Sequence, residues 1–300
     1  MTSPGPAARL NLDDAVFSEN YDRVPFGFSH NLHCLTLFEN ETLRSLCETY
    51  AAHPEDYFVS RSAPAAGAVF YSVPKTALKP HEAFDQLTGG SYKILLKRLE
   101  RHHDGFHDLL NTLFAQVKGQ LQRNRFPVEA VRLESSVFIS APQATTPFHF
   151  DPEVNFFSQI EGEKIYHLYA PSELGEDEVE PLYARATTDI GQVDLTRRDP
   201  SAEHLFRLQP GTGLHQPQDA PHWVETAGSR SISYTFVYET RQGQMRSRVR
   251  SFNAYLRRLR IDPARPGERP ARDAVKAAAM AAAIPVRRQI GRALRSVLRS

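Results

Sequence analysis

Two side chains able to bind a metal, His149 and Asp151, stand two positions apart in the chain. In a β-strand this spacing places both on one face, with Phe150 turned to the other. His222, which follows a proline-rich turn and starts a predicted strand, is the candidate for a third ligand. Two imidazoles and one carboxylate form the facial triad that holds a non-haem Fe(II) ion and leaves positions open for a co-substrate and O2. Taken alone, an H-x-D pair is common among surface and core residues, and the sequence around it decides whether it marks a metal site.

Other histidines offer alternatives. His215 lies seven residues before His222 and is a rival ligand for a cupin enzyme that uses a different metal, although strand alternation favours His222. His167 follows Lys164 by three positions, so in a regular strand it faces the opposite way, and we expect it to be a packed core histidine. Three more histidines are expected at a helix surface or junction: His102, His103 and His107.

Residues 146–171 read TPFHFDPEVNFFSQIEGEKIYHLYAP. This segment closely resembles the core of the JmjC and cupin-like Fe(II)/2-oxoglutarate oxygenases. It has the order H-x-D, N-F-F, Q-I and G-x-K found in the asparaginyl hydroxylase that inhibits hypoxia-inducible factor, and a weaker similarity covers residues 208–240. The resemblance implies a mainly β fold, a double-stranded β-helix (jelly roll, cupin-like), and hydroxylation of a C–H bond with formation of succinate and CO2.

The resemblance also implies roles for individual residues. His149, Asp151 and His222 match the iron ligands. Lys164 and Thr146 match the lysine and hydroxyl that bind the distal carboxylate of 2-oxoglutarate, which agrees with the need of a buried dicarboxylate for a cation and a donor. Two further residues are expected beside the co-substrate: Asn155, which matches an amide of the family, and Tyr71, from an early strand.

The chain departs from the family pattern at two places. Where related enzymes often have G-D-x-x-x-x-P before the last histidine ligand, this chain has GTGLHQPQDAP from Gly211 to Pro221. Val237 stands where the asparaginyl hydroxylase has an asparagine. These departures bear on substrate identity and on co-substrate binding more than on the metal.

The elements that position these residues follow from periodicity. Short β-rich runs separated by Gly, Pro and Asn indicate a closed antiparallel double sheet. The predicted strands are 57–60, 68–73, 131–140, 146–150, 155–160, 164–169, 203–208, 212–216, 223–226 and 231–238. Helices are predicted at 40–50, as one or two helices within 91–117, after Thr240, and from about Ala271. Residues 13–38 are predicted to be loop-like.

These elements suggest three parts: an N-terminal helical or mixed region (1–125), a jelly-roll core (126–240) and a basic C-terminal helical extension (241–300). A polar insert at 171–200, acidic at 173–180, is expected to border the site.

The charge of the chain is unevenly distributed. Residues 241–300 hold fifteen arginines and one lysine against three acidic residues, a charge of +13, so the first 240 residues carry −12 in a chain of net charge +1. The final helix has an apolar stripe and an arginine stripe. Packing or homodimer formation through the C-terminal helices is favoured, and contact with an anionic membrane or nucleic acid is the alternative.

Composition excludes several classes. The hydrophobic content of 41% and charged content of 24% are typical of a globular chain, no apolar run is long enough for a membrane span, and no export signal is visible. Two cysteines favour a reducing cytoplasm. We expect an Fe(II)- and 2-oxoglutarate-dependent dioxygenase acting with O2 on a peptide, protein side chain or amino-acid-like substrate. The alternatives are a non-catalytic cupin-like binding protein and a different cupin metalloenzyme.

Overall fold

The computed structural model describes residues 7–61, 64–68, 76–87, 92–185 and 191–297, with only the backbone described for Arg61 and for residues 284–297. Within these ranges there are eleven strands and seven α-helices. The strands are β1 (Leu10–Asn11), β2 (Phe26–His30), β3 (Tyr57–Arg61), β4 (Tyr92–Lys97), β5 (Ala130–Ser140), β6 (Thr145–Phe150), β7 (Val154–Leu168), β8 (Gly191–Gln192), β9 (His204–Leu208), β10 (Thr212–Gln216) and β11 (His222–Thr240). The helices are α1 (Asp14–Asn20), α2 (Asn40–Tyr50), α3 (Pro80–Asp85), α4 (Asp104–Arg123), α5 (Glu176–Ala184), α6 (Arg241–Arg258) and α7 (Pro270–Val297).

Two long strands, β7 and β11, form the centre of the fold. They pair antiparallel from His222 opposite Leu168 to Tyr238 opposite Val154, with irregular register in between. The first part of β7 also pairs with β10, whereas its last part pairs with β9. Each predicted pair of short strands in these regions is therefore one continuous strand that bends from one layer into the other. The predicted jelly roll is confirmed.

The bend in β7 lies at Gly162, which has a φ of +68°. A Cβ atom there would lie 2.1 Å from the carbonyl oxygen of Arg230 on β11. Glycine is required because it alone combines this left-handed backbone with so close an approach.

Aromatic and aliphatic side chains fill the interior of the larger unit. Phe156 of β7 stacks on Phe236 of β11 with ring centroids 5.3 Å apart, and Tyr234 packs against Phe106 of α4. Because side chains alternate between the two faces of a strand, these rings share one core, whereas the neighbouring Phe157 is buried in a second cluster on the other face.

The prediction of helices from residue 91 onward is wrong for its first part. Tyr92, Ile94 and Leu96 are buried, and β4 pairs with both β3 and β5. The run Ile-Leu-Leu satisfies helical and strand periodicity equally over so short a stretch, and pairing on both sides favours the strand. The helix itself begins at Asp104.

Near the N-terminus, the structure is more ordered than the expected loop. β2 pairs with β10, and α1 begins after Asp13, whose carboxylate accepts a hydrogen bond from the Val16 amide. The predicted helix α2 is confirmed over Asn40–Tyr50. Residues 69–73 of an expected early strand lie outside the described residues.

The chain divides into two compact units, Met1–Glu173 with Gln192–Glu239, and Leu174–Gly191 with Thr240–Ser300. The second unit contains α5, α6 and α7, and α5 packs against α6. The three-part division at 125 and 240 stays a prediction. In the described part of the chain, no helix is both long and apolar enough to cross a membrane.

Candidate metal centre

The two predicted histidine ligands are brought together by the pairing of β6 with β11. His149 of β6 lies opposite His222, the first residue of β11, and their ring centroids are 4.2 Å apart. Asp151 follows the end of β6. One ligand atom from each of the three residues lies within 4.8 Å of the others, and no other such cluster occurs among the described residues.

Backbone carbonyls orient both imidazole rings. His149 Nδ1 donates to the Pro147 carbonyl oxygen at 2.7 Å, and His222 Nδ1 donates to the Ala220 carbonyl oxygen at 3.0 Å. Because a carbonyl oxygen only accepts, each Nδ1 carries the hydrogen and each Nε2 keeps its lone pair. The Nε2 atom of His149 lies 3.7 Å from Oδ1 of Asp151, and the Nε2 atom of His222 lies 3.7 Å from Oδ2 of the same carboxylate.

Burial keeps the histidines neutral. It lowers the pKa of His149 well below its usual value, and the neighbouring His222 adds to this effect. Burial also lowers the pKa of His222, against the opposing influence of the Asp151 carboxylate. Neutral imidazoles and a carboxylate are the protonation states in which these groups bind a metal. The donor set therefore fits a divalent transition metal.

The turn before β11 is hydrogen-bonded to Asp151, the carboxylate of the cluster. The amide of Asp219, which has a φ of +64°, donates to the Asp151 carbonyl oxygen at 2.9 Å. The amide of Gln218 donates to the Asp22 carboxylate at 2.9 Å. Although its sequence differs from the family pattern, this turn thus connects the two ligand-bearing segments directly.

Lys164 of β7 is buried in an apolar pocket. Its amine donates to the Ser140 hydroxyl at 3.4 Å and lies 5.5 Å and 5.8 Å from the ring centroids of Phe138 and Phe157. Burial, reinforced by the charge of Lys93, lowers its pKa to about 7. Surface lysines help to keep a protein soluble, but the buried Lys164 cannot serve that purpose.

Lys93 of β4 is the site residue that the sequence analysis missed. Its amine donates to the hydroxyl of Thr146 and lies 5.6 Å from the ring centroid of Phe138. Burial lowers its pKa to about 8, with the Asp151 carboxylate opposing the change. The alternation of β4 was the available signal, since it places Lys93 and Tyr92 on opposite faces.

The remaining predicted site residues are placed differently. Asn155 is buried, and its side-chain oxygen accepts a hydrogen bond from the Thr235 hydroxyl of β11. Thr146 is joined to Lys93 as described. Tyr71 lies outside the described residues, so its role stays a prediction.

His215 is a core residue and not part of the metal cluster. Its Nε2 accepts a hydrogen bond from the Asp22 amide at 3.1 Å, and its ring packs against Tyr21, Phe26 and Phe156. Burial lowers its pKa to about 3.

Two other histidines also have local partners. His167 stacks on Trp223, with Nδ1 3.1 Å from the Glu203 carboxylate, and it is only half-buried. His102 Nε2 lies 2.7 Å from the Asp56 carboxylate. Neither belongs to the metal cluster, as the strand alternation and the helix-junction position predict.

A jelly roll with a His–Asp–His cluster on adjacent strands is the arrangement of a metal-binding cupin-type protein. The chain belongs to the family of cupin-like domains, whose model matches residues 62–243. Among solved structures, it is similar to the ribosomal oxygenase YcfD of Escherichia coli, with 15% identity and a TM-score of 0.50 over 92% of this chain and 68% of that one. The structure of YcfD in complex with cobalt and 2-oxoglutarate gives a TM-score of 0.51, with the same identity and coverage. At this identity the likeness shows the fold.

Proposed function

We propose that this protein is an Fe(II)- and 2-oxoglutarate-dependent oxygenase that hydroxylates a C–H bond of a protein or peptide side chain. The observation that carries the proposal is the triad of buried His149 and His222 with half-buried Asp151, whose Nε2 lone pairs and carboxylate converge on one point. In the overall reaction, 2-oxoglutarate, O2 and the substrate R–H give succinate, CO2 and R–OH. One oxygen atom enters succinate and the other enters the product.

The three triad residues would hold Fe(II), which supplies the activation of O2 and the oxidation of the substrate C–H bond when bound. The protein orients the ligands: the Pro147 and Ala220 carbonyls fix both imidazoles through Nδ1. Three ligands on one side leave the other side for the chelating 2-oxo acid group of the co-substrate and for O2.

Lys164 and Thr146 would bind the distal carboxylate of 2-oxoglutarate, with Asn155 and Tyr71 as further co-substrate residues. The amine of Lys164 is buried among Phe138 and Phe157 with only a hydroxyl as a hydrogen-bond partner among the described residues. An ammonium group in such a pocket is stabilised by an anionic ligand. The structure of YcfD in complex with cobalt and 2-oxoglutarate, which shares this fold, supports the assignment.

A macromolecular substrate is the narrower part of the proposal. It is supported by the description of YcfD as a ribosomal oxygenase. We further expect a cytoplasmic protein, because both cysteines are free thiols, one of them exposed, as is usual in a reducing compartment. A homodimer through the C-terminal helices stays a prediction, which sedimentation of the full chain and of residues 1–270 would test.

The proposed function is tested by anaerobic metal analysis followed by measurement of succinate formed from 2-oxoglutarate. His149→Ala and Asp151→Ala should abolish substrate-dependent succinate formation, whereas Lys164→Ala should mainly raise the concentration of 2-oxoglutarate required. His167→Gln, on the opposite face of β7, serves as the control and should retain turnover. Full turnover by Asp151→Ala would contradict the proposal.

A non-catalytic cupin-like binding protein is the competing outcome. Such a protein would bind metal or 2-oxoglutarate without converting 2-oxoglutarate to succinate in the presence of any protein fraction, including ribosomal proteins. A chain that prefers a metal other than Fe(II) and does not bind 2-oxoglutarate would instead be a different cupin metalloenzyme.

A further inference from the structure

Two amines, not one, approach the proposed co-substrate pocket, that of the buried Lys164 and that of the half-buried Lys93. Lys93 comes from β4 and Lys164 from β7, and their Nζ atoms lie 5.6 Å and 5.5 Å from the centroid of the same ring, that of Phe138. The positive charge of each is close enough for Lys93 to depress the pKa of Lys164, after the larger effect of burial. The proposed pocket therefore holds two amines that can each carry a positive charge.

Neither amine forms an ion pair with a carboxylate among the described residues. Lys164 donates to the Ser140 hydroxyl and Lys93 donates to the Thr146 hydroxyl. Burying a cation without a counter-charge is costly, and two like charges in one pocket raise that cost. The lowered pKa values of about 7 and about 8, caused first by burial, express the same cost. An anionic ligand would remove it.

The hydrogen bond from Lys93 also sets the direction of the Thr146 hydroxyl. An ammonium group only donates, so Thr146 Oγ1 accepts from it and keeps its own hydrogen for another acceptor. A carboxylate oxygen beside Thr146 would accept that hydrogen. The Thr146 hydroxyl could otherwise donate or accept, and the hydrogen bond from Lys93 directs it to act as a donor towards a ligand.

The charge of Lys93 affects both the metal cluster and Lys164. After the dominant effect of burial, its charge lowers the pKa values of both His149 and His222, and the Asp151 carboxylate acts back on Lys93. In geometric terms, Lys93 donates to Thr146 of β6, the strand that carries His149, and its amine approaches the same Phe138 ring as Lys164, so a dicarboxylate that reaches from the metal towards Lys164 would pass close to Lys93.

We propose that Lys93 is a second cation for the distal carboxylate of the co-substrate, which it binds together with Lys164 while orienting the Thr146 hydroxyl. The inference rests on the proposed function and adds a specificity-determining residue to it. The pair of amines selects a 2-oxo acid with a second carboxylate over one that ends in a methyl group.

The test compares two 2-oxo acids on the full-length protein loaded with Mn(II), by isothermal titration calorimetry. The probes are 2-oxoglutarate and 2-oxopentanoate, which has the same chain length without the distal carboxylate. The variant is Lys93→Met, and the matched control is Lys97→Met, which lies on the same face of β4 but makes no side-chain contact with the pocket residues described above. Thermal unfolding and Mn(II) affinity report whether each variant is folded.

For Lys93→Met, 2-oxoglutarate should bind at least about 10-fold more weakly, because a charge-assisted interaction is lost. Binding of 2-oxopentanoate should change by less than about 2-fold, since the lost charge acts on a carboxylate that this probe lacks. Lys97→Met should bind both acids as the unchanged protein does. Combining Lys93→Met with Lys164→Met should remove the preference for the dicarboxylate altogether.

Three results would overturn the inference. If Lys93→Met binds 2-oxoglutarate like the unchanged protein, Lys93 has no part in co-substrate binding although the proposed function stands. If both oxo acids weaken equally in a folded, Mn(II)-binding variant, Lys93 acts at the chelating end. If the unchanged protein binds Mn(II) but not 2-oxoglutarate, the proposed function fails together with the inference.

Discussion

Each metal-binding imidazole takes its orientation from a carbonyl two residues before it. The acceptors are the carbonyl oxygens of Pro147 for His149 and of Ala220 for His222. Each of the segments 147–149 and 220–222 contains a proline. Metal-bound histidines generally need such an outer partner, which fixes the tautomer. Here the partner is backbone, so the orientation depends on the local chain path and not on a second side chain.

The two lysines of the proposed pocket lead to a pH dependence of co-substrate binding. A carboxylate binds the charged amine, and the pKa of Lys164 is lowered to about 7 and that of Lys93 to about 8, mainly by burial. The other titratable groups facing them are Asp151 and the two histidines. The pKa values of the histidines are lowered below their usual value, so the lysines are the groups that lose protons on the alkaline side.

We therefore expect the affinity of the Mn(II)-loaded protein for 2-oxoglutarate to fall as the pH rises from about 6.5 to about 9. Titration calorimetry across this range checks the expectation, with 2-oxopentanoate as the control whose affinity should stay nearly constant. Lys93→Met should show a shallower fall. A 2-oxoglutarate affinity that is independent of pH would contradict the charge assignment of both lysines.

Among the elements, β10 shows how closely the strands beneath the site are packed. It lies between β2 and β7, and a Cβ atom on Gly213 would lie 2.5 Å from the Phe157 carbonyl oxygen and 2.6 Å from the Phe28 ring. Both neighbours belong to paired strands and cannot withdraw without breaking the sheet. A side chain at this position is excluded by packing.

Gly213→Ala should therefore lower the free energy of unfolding by about 1–3 kcal/mol through overpacking. Gly119→Ala is the matched control, because it lies inside α4 and its added Cβ would meet only the Arg123 guanidinium at 3.6 Å. That control should raise stability by up to about 1 kcal/mol through helix propensity. Urea unfolding measures both, and equal effects of the two substitutions would refute the packing argument.

At the scale of the molecule, the uneven charge of the chain is partly resolved within the second unit. The acidic segment of the insert forms α5, and its carboxylates pair with arginines of α6. Arg250 binds Glu176 at 2.8 Å, and Arg257 binds the fully buried Glu180 at 2.5 Å. The basic extension and the acidic insert are thus complementary in part, as expected if packing is one role of the C-terminal helices.

Glu180 carries most of this complementarity. Its carboxylate also accepts a hydrogen bond from Asn253, so Glu180→Gln removes a buried charge opposite Arg257 and should cost about 1–3 kcal/mol. Asp262→Asn removes the other partner of Arg257. Because the Asp262 side chain is 91% exposed, this substitution should cost less than about 1 kcal/mol. Urea unfolding followed at the helical circular dichroism band distinguishes the two. A larger loss for Asp262→Asn would show that burial is not what strengthens the pair.

The pair His149 and Asp151 and the class of sheet were predictable because their signals are local, whereas the position of His222 opposite His149 depends on the pairing of β6 with β11. His149 and Asp151 need only a strand to share a face, and the short β-rich runs with their turn residues define the class of sheet. Periodicity could not show that residues 155–168 and residues 222–240 each belong to one continuous strand. The glycine at the bend, Gly162, predicts a turn when only the sequence is considered.

The position of Lys93 in the proposed pocket was decided by tertiary structure, because alternation within β4 points to it only once the segment is known to be a strand. The run from Tyr92 to Lys97 fits a helix or a strand by its own period, and pairing with β3 and β5 decides for the strand and thereby directs Lys93 towards Thr146. The local pattern therefore identified candidate metal ligands. The pairing of distant strands determined which second amine shares the pocket with Lys164, because contacts between residues far apart in the chain leave no periodic trace in it.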